Sequence, residues 1–209
     1  MKDKKTIDCK SQLVGNSKKL YVNYRDLAKD INEGEKILLD DGKIILKVLS
    51  TNKKDLINTK VIQGGDISSN KGFNLPNTKI SLSPLTEKDI KDAILAIKEN
   101  VDWIALSFVR KKSDIGSLIK IINKYSEYRI PVIAKIEKPE ALKNIDEIIK
   151  VSSGLMVARG DLGVELQSSE IPLIQKRLVA KAKKERIPVI IATQMMESIN
   201  NLQDRKSVV

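Results

Sequence analysis

The 209-residue chain has no histidine, a single cysteine and few aromatic side chains: one Trp, four Tyr and two Phe. Without imidazole there is no His-built zinc site, no Ser-His-Asp or Cys-His nucleophile and no imidazole general base. Cys9 has no second thiol in the chain to pair with, so a reducing, cytoplasmic setting is expected. The scarcity of aromatics argues against a protein that stacks the bases of single-stranded nucleic acid. No apolar run reaches the roughly 18 residues of a membrane span, and the N-terminal stretch through Asp30 is polar. Neither a membrane partner nor a signal peptide is expected.

What is present is enough for a packed core. Hydrophobic residues make up 41% and charged residues 31% of the chain, a balance that excludes intrinsic disorder. The formal net charge is +11, yet only seven of the 38 basic residues are Arg. The lysines are scattered rather than gathered in a stripe, and Lys, Ile and Asn are abundant together, as an AT-rich genome encodes. A nucleic-acid partner is therefore not expected from the charge.

Two regions read differently. Residues 1–72 look like short strands broken by Gly- and Asp-rich turns, a small antiparallel β module. The run from Lys19 to Tyr24 alternates, Lys36–Leu39 and Lys43–Leu49 flank the hairpin signal Asp40-Asp41-Gly42, and Thr59–Gln63 leads into Gly64-Gly65-Asp66. Residues 73–209 form the second region. From about residue 80 strands and helices alternate: apolar runs at Val101–Val109, Pro131–Glu137, Gly154–Val164 and Pro188–Met195 frame helical periods at 113–125, 139–151 and 170–185. Thr86 and Asp89 make a capping box before Ile90–Ile97. Continuous apolar strands with helical crossovers suit a (β/α) barrel or a doubly wound parallel sheet. No G-x-G-x-x-G and no P-loop sequence occurs.

In either architecture the chemistry sits at the carboxyl ends of the strands. Three ends carry polar groups straight after an apolar run: Ala134-Lys135-Ile136-Glu137, Ala158-Arg159-Gly160-Asp161, and Ile191-Ala192-Thr193-Gln194. Lys135 and Glu137 are two apart, so on a strand they share a face. Glu137 and Asp161 on neighbouring strand ends are a carboxylate pair able to hold a divalent metal such as magnesium. Lys135 beside them would stabilise charge on a transferring phosphoryl group or an enolate oxygen. Alone, a Lys-x-Glu is an ordinary ion pair and an Arg-Gly-Asp an ordinary turn; their convergence with Thr193 at successive strand ends favours a site.

These segments resemble the pyruvate kinase family. The run Val132-Ile133-Ala134-Lys135-Ile136-Glu137-Lys138-Pro139-Glu140 is similar to its active-site signature, and Gly154–Glu165, Ile191–Ser198, Lys71–Pro76 and Trp103–Arg110 resemble further family segments. The likeness runs over residues 14–200. It implies a partial (β/α)8 TIM barrel, strands four to seven, preceded by a small antiparallel lid domain. It implies phosphoryl transfer from phosphoenolpyruvate to ADP in glycolysis, giving pyruvate and ATP, with Mg2+ (or Mn2+) and K+. By the family pattern Lys135 contacts the transferring group and stabilises the enolate, Glu137 and Asp161 bind the metal, and Gly160 and Asp161 meet the substrate carboxylate. Thr193 sits near the carbon that gains a proton, and Lys71 reaches the nucleotide. The full-length family is expected to be homotetrameric. A magnesium-dependent barrel aldolase or lyase acting on pyruvate-like substrates, or an inactive remnant, is the alternative reading.

Several family features have no counterpart. The first three barrel strands, with most of the potassium ligands, the eighth strand and the C-terminal domain are not in this sequence, so activity of the chain alone is not expected. Ser153 stands where the family usually has Asp. Leu202–Val208 departs from the family's Pro-Thr-Arg-x-Glu-Val-Ser, but permitted codons for it, read one frame over, encode Thr-Arg-Gln-Glu-Val-Ser. The tail is expected to be the family segment in a shifted frame.

Overall fold

The computed structural model describes residues 4–11, 14–76, 78, 85–167 and 169–192. The chain divides into two compact units, Met1–Leu82 and Ser83–Val209. The tail after Ala192, including Thr193 and the Leu202–Val208 segment, lies outside the described residues.

The first unit is built on β1 (Lys4–Asp8), β2 (Lys19–Tyr21), the one-turn helix α1 (Leu27–Asp30), β3 (Lys36–Leu39), β4 (Ile44–Thr51), β5 (Leu56–Gln63) and β6 (Phe73–Asn74). They form one six-stranded sheet in the order β2-β1-β5-β4-β3-β6. Alternation in β5 turns Ile57 and Thr59 inward; the core gathers Ile7, Leu27, Ile31, Ile37, Leu46 and Ile57, all essentially buried. The β3–β4 hairpin closes with Leu39 opposite Ile44. Its turn takes left-handed backbone at Asp40, Asp41 and Gly42 (φ 49°, 55° and 84°), conformations that Asp tolerates and Gly adopts freely.

Two features depart from the sequence reading. The strand β1 has no turn signal to announce it, and it pairs antiparallel with β5 through Ile7 opposite Ile57. The sheet is not wholly antiparallel: β2 runs parallel to β1, with Ile7 opposite Leu20. A bend at residues 9–11 leads out of β1. Asp8 anchors it, accepting hydrogen bonds from the Lys10 and Ser11 N–H groups (2.9 and 2.8 Å). The Asp8 carboxylate also pairs with the Lys19 ammonium at 2.8 Å. Past Gly72 the chain still belongs to this unit, because Phe73 pairs with Leu39.

The second unit alternates α2 (Glu87–Lys98), β7 (Ile104–Leu106), α3 (Lys112–Tyr125), β8 (Val132–Ile136), α4 (Pro139–Lys143), α5 (Ile145–Val151), β9 (Gly154–Ala158), α6 (Arg159–Glu165), α7 (Ile171–Lys184) and β10 (Val189–Ala192). Its four strands are parallel, in the sequential order β10-β9-β8-β7. This is the α/β pattern of half a (β/α)8 barrel. The capping box opens α2: the Asp89 N–H donates to the Thr86 hydroxyl and the Thr86 N–H donates to the Asp89 carboxylate at 2.8 Å. Helix α3 buries Ile115, Leu118 and Ile122 on one face, positions three and seven residues apart as an amphipathic helix requires. Each such side chain is worth about 1.5–3 kcal/mol of transfer free energy. Gly154 opens β9 where a Cβ would meet Ile133 Cγ1 at 3.3 Å and Pro188 Cγ at 3.4 Å, so the close approach of the neighbouring segments favours glycine.

The apolar runs are longer than the strands they contain. Val101–Val109 yields only Ile104–Leu106, because Phe108 turns into left-handed backbone (φ 53°). The helical stretch 139–151 is two helices broken at Asn144, whose side chain donates to the Arg110 carbonyl at 2.9 Å. The polar end of Gly154–Val164 is helix α6 rather than a turn.

Candidate functional site

The strands β7, β8 and β9 deliver their polar residues at their carboxyl ends. In β8, Val132, Ala134 and Ile136 are buried on one face, while Ile133 and Lys135 lie half-buried on the other. The pairing of Leu106 with Ala134 brings Ser107, just past β7, beside Lys135. The Lys135 ammonium donates to the Ser107 hydroxyl at 2.9 Å and lies 2.7 Å from Glu137 Oε1. The second Glu137 oxygen, Oε2, accepts the Phe108 N–H at 2.8 Å. The Glu137 side chain is only 2% exposed, against 26% for Lys135. A buried carboxylate is thus held by a cation on one oxygen and a backbone donor on the other, which is how a charge is tolerated inside a protein. Each Glu137 oxygen keeps a lone pair for a further partner.

Asp161 lies in the first turn of α6, directly after β9, and is exposed. Gly160 precedes it on the same turn. Because Ile136 pairs with Val157, the segments carrying Glu137 and Asp161 leave adjacent strands at the same end of the sheet. Among the described residues no group of three or more His, Cys, Asp or Glu side chains is arranged for a metal ion.

Lys71 belongs to the first unit. Its ammonium lies 3.0 Å from Asp40 Oδ1, and Lys43 reaches Asp40 Oδ2 at 3.1 Å. The Asp40 N–H donates to the Gly72 carbonyl at 3.1 Å, so the hairpin turn and the returning strand are tied together. The hydrogen bond from Lys71, reinforced by Lys43, holds the Asp40 carboxyl below the usual carboxylate range.

The structure brings Lys135, Glu137 and Ser107 together and places Gly160 and Asp161 at the neighbouring strand end. It adds groups that the sequence reading did not single out: Ser107, the Phe108 N–H, and the ion pair of Lys138 with Glu165. The signal for Ser107 is its hydroxyl inside the apolar run Val101–Val109. The Phe108 N–H had none, because it depends on a backbone conformation. No helix among the described residues is long and apolar enough to cross a membrane.

The family model described as "Pyruvate kinase, barrel domain" matches residues 2–205. The pyruvate kinase of Sporosarcina psychrophila is 46% identical over 190 residues, 90% of this chain and 32% of that protein. That of Geobacillus stearothermophilus is 45% identical over 190 residues, again 90% of this chain and 32% of that protein. That of Corynebacterium glutamicum is 45% identical over 185 residues, 88% of this chain and 38% of that protein. The chain spans about a third of the length of the curated relatives it matches. With a family model covering nearly its whole length, the chain belongs to the pyruvate kinase family, through its barrel domain.

Proposed function

We propose that the protein to which this chain belongs transfers the phosphoryl group of phosphoenolpyruvate to ADP, yielding pyruvate and ATP in glycolysis. The observation that carries this reading is the Lys135 ammonium, held between Ser107 and Glu137 at the carboxyl end of β8. A fixed cation at this point suits a reaction in which negative charge moves from a phosphoryl group to an enolate oxygen. The bond between phosphorus and the enol oxygen breaks as a β-phosphate oxygen of ADP bonds to phosphorus. The enolate electrons then take up a proton at carbon, a step to which the family pattern assigns Thr193.

The residues fit a magnesium or manganese ion. Glu137 and Asp161 would hold it, with the remaining oxygens supplied by substrate or water, as magnesium prefers. When bound, the ion supplies positive charge that offsets the anionic substrate. The Gly160 and Asp161 backbone would meet the substrate carboxylate, and Lys71 would reach the nucleotide phosphates. K+, a cytoplasmic location and a homotetrameric assembly follow from the family pattern. The aldolase or lyase reading is not favoured, because family membership accounts for both the barrel segments and the Lys71 segment.

Manganese binding followed by electron paramagnetic resonance tests the site directly. The chain is expected to bind Mn(II) weakly, and phosphoenolpyruvate is expected to tighten it by adding oxygen ligands. Asp161→Asn should abolish that coupling; Lys135→Met should spare metal binding but weaken the effect of phosphoenolpyruvate. Unchanged metal affinity and coupling in folded Asp161→Asn would sink the assignment.

A further inference from the structure

Directly after Glu137 comes Lys138, whose ammonium forms an ion pair with the Glu165 carboxylate; the two side chains are only 13% and 1% exposed. Such burial is costly for both charges unless they are paired, so the bridge is a fixed point of the fold. What it joins is informative. Lys138 caps α4 at the end of β8, one residue from Glu137. Glu165 is the last residue of α6, the helix whose first turn carries Gly160 and Asp161. The same ammonium lies 5.9 Å from the centre of the Phe108 ring, a cation–π distance. Phe108 is the residue whose N–H holds Glu137 Oε2, and it does so from left-handed backbone (φ 53°). Lys138 therefore touches both supports of the pair: the aromatic residue that fixes Glu137 and the helix that presents Asp161.

We infer that Lys138 and Glu165 are positioning residues that set the separation of the Glu137 and Asp161 carboxylates and so determine the divalent-metal affinity of the site. The inference rests on the metal reading proposed above. Neither residue need touch metal or substrate. Their effect is to keep α6 from sliding relative to the end of β8. Outer partners that orient metal ligands are typically worth about 10–100-fold in affinity.

The test is a Mn(II) titration by electron paramagnetic resonance on the chain, with folding followed by the fluorescence of Trp103. Glu165→Gln keeps the shape and removes the charge. It is expected to weaken Mn(II) binding about tenfold or more. In an Asp161→Asn background the same change is expected to cost nothing further, because the ligand it positions is gone. A purely structural bridge would instead give the same loss in both backgrounds. Glu165→Asp, which keeps the charge but shortens the reach by one methylene, is expected to weaken binding less than Glu165→Gln does. Wild-type affinity in folded Glu165→Gln overturns the inference, as does wild-type affinity in Glu165→Asp should the Gln variant not fold. Losses that simply add in the double variant overturn it too. If Asp161→Asn alone leaves Mn(II) binding unchanged, the metal reading itself fails; if it weakens binding and the Glu165 variants do not, only the positioning role fails.

Discussion

Replacing Glu137 by Ala removes a buried carboxylate that satisfies two groups at once. The Lys135 ammonium loses its 2.7 Å partner and keeps the Ser107 hydroxyl; the Phe108 N–H loses its acceptor, 2.8 Å away. Breaking a buried ion pair from one side costs about 3–5 kcal/mol. Lys135 keeps 26% of its side-chain exposure, so water replaces part of the lost interaction and the lower end applies to the charge. The orphaned N–H adds to this, since a hydrogen bond to a charged acceptor is worth about 1.5–3 kcal/mol. The combined loss is about 4.5–6 kcal/mol, a large part of the roughly 5–15 kcal/mol that holds a domain folded. At about 3–5 °C per kcal/mol for a unit of this size, the unfolding midpoint should fall by about 10 °C or more. Trp103, the single tryptophan, lies just before β7 and reports on the second unit. Thermal unfolding read by its fluorescence is the assay. Glu140→Ala is the comparison, because Glu140 is exposed three residues further on, and exposed substitutions stay within about 0.5 kcal/mol. If the two variants unfold at the same temperature, Glu137 is not the buried anchor described above.

Thr86→Ala removes one half of the capping box on α2 and should cost about 1 kcal/mol, read as a lower urea midpoint at Trp103; an unchanged midpoint would mean that the cap does not support the helix. In the first unit, the hydrogen bond from Lys19, followed by those from the Ser11 and Lys10 N–H groups, holds the Asp8 carboxyl well below the usual carboxylate range. A depressed folded-state pKa contributes stability above the unfolded-state value of about 3.9, and that stability is lost as pH falls below it. The unfolding midpoint of the first unit by circular dichroism should therefore drop more steeply below about pH 4 in the wild type than in Asp8→Asn, and parallel pH profiles would refute the assignment.

The alternation of strands and helices after residue 80 was legible because buried parallel strands are apolar throughout and their crossovers carry the helical period. The capping box and the Asp40-Asp41-Gly42 turn were legible for a similar reason: their signals are local. Strand lengths were not. Val101–Val109 reads as one run, and nothing in its hydropathy marks the left-handed turn at Phe108 that ends β7. The strand β1 escaped because its inward residues are few and its partner, β5, lies about fifty residues away in sequence. The parallel pairing of β1 with β2 also depends on contacts that no short window contains. At the site, Lys135 and Glu137 were found by their spacing, and the helical setting of Arg159-Gly160-Asp161 was not. Lys138 and Glu165 lie within the motif segments, yet their pairing is visible only once α6 is folded back beside the end of β8.

The register of the sheet and the placement of the charges depend on one another. Parallel pairing sets Leu106 opposite Ala134 and Lys135 opposite Met156, which leaves Val132, Ala134 and Ile136 against the helices and Lys135 on the other face. A slip of β8 by one residue would exchange the faces. It would bury an ammonium in the layer formed by Leu118, Ile122, Ile148 and Ile149, and an unpaired charge there is far more costly than a lost methyl contact. The same slip would carry Lys135 away from Ser107 and Glu137 away from the Phe108 N–H. The alternation that makes β8 a stable strand is thus also what delivers a cation and a carboxylate to its open end. Lys135 excludes the wrong register by being charged, and the right register gives that charge its place.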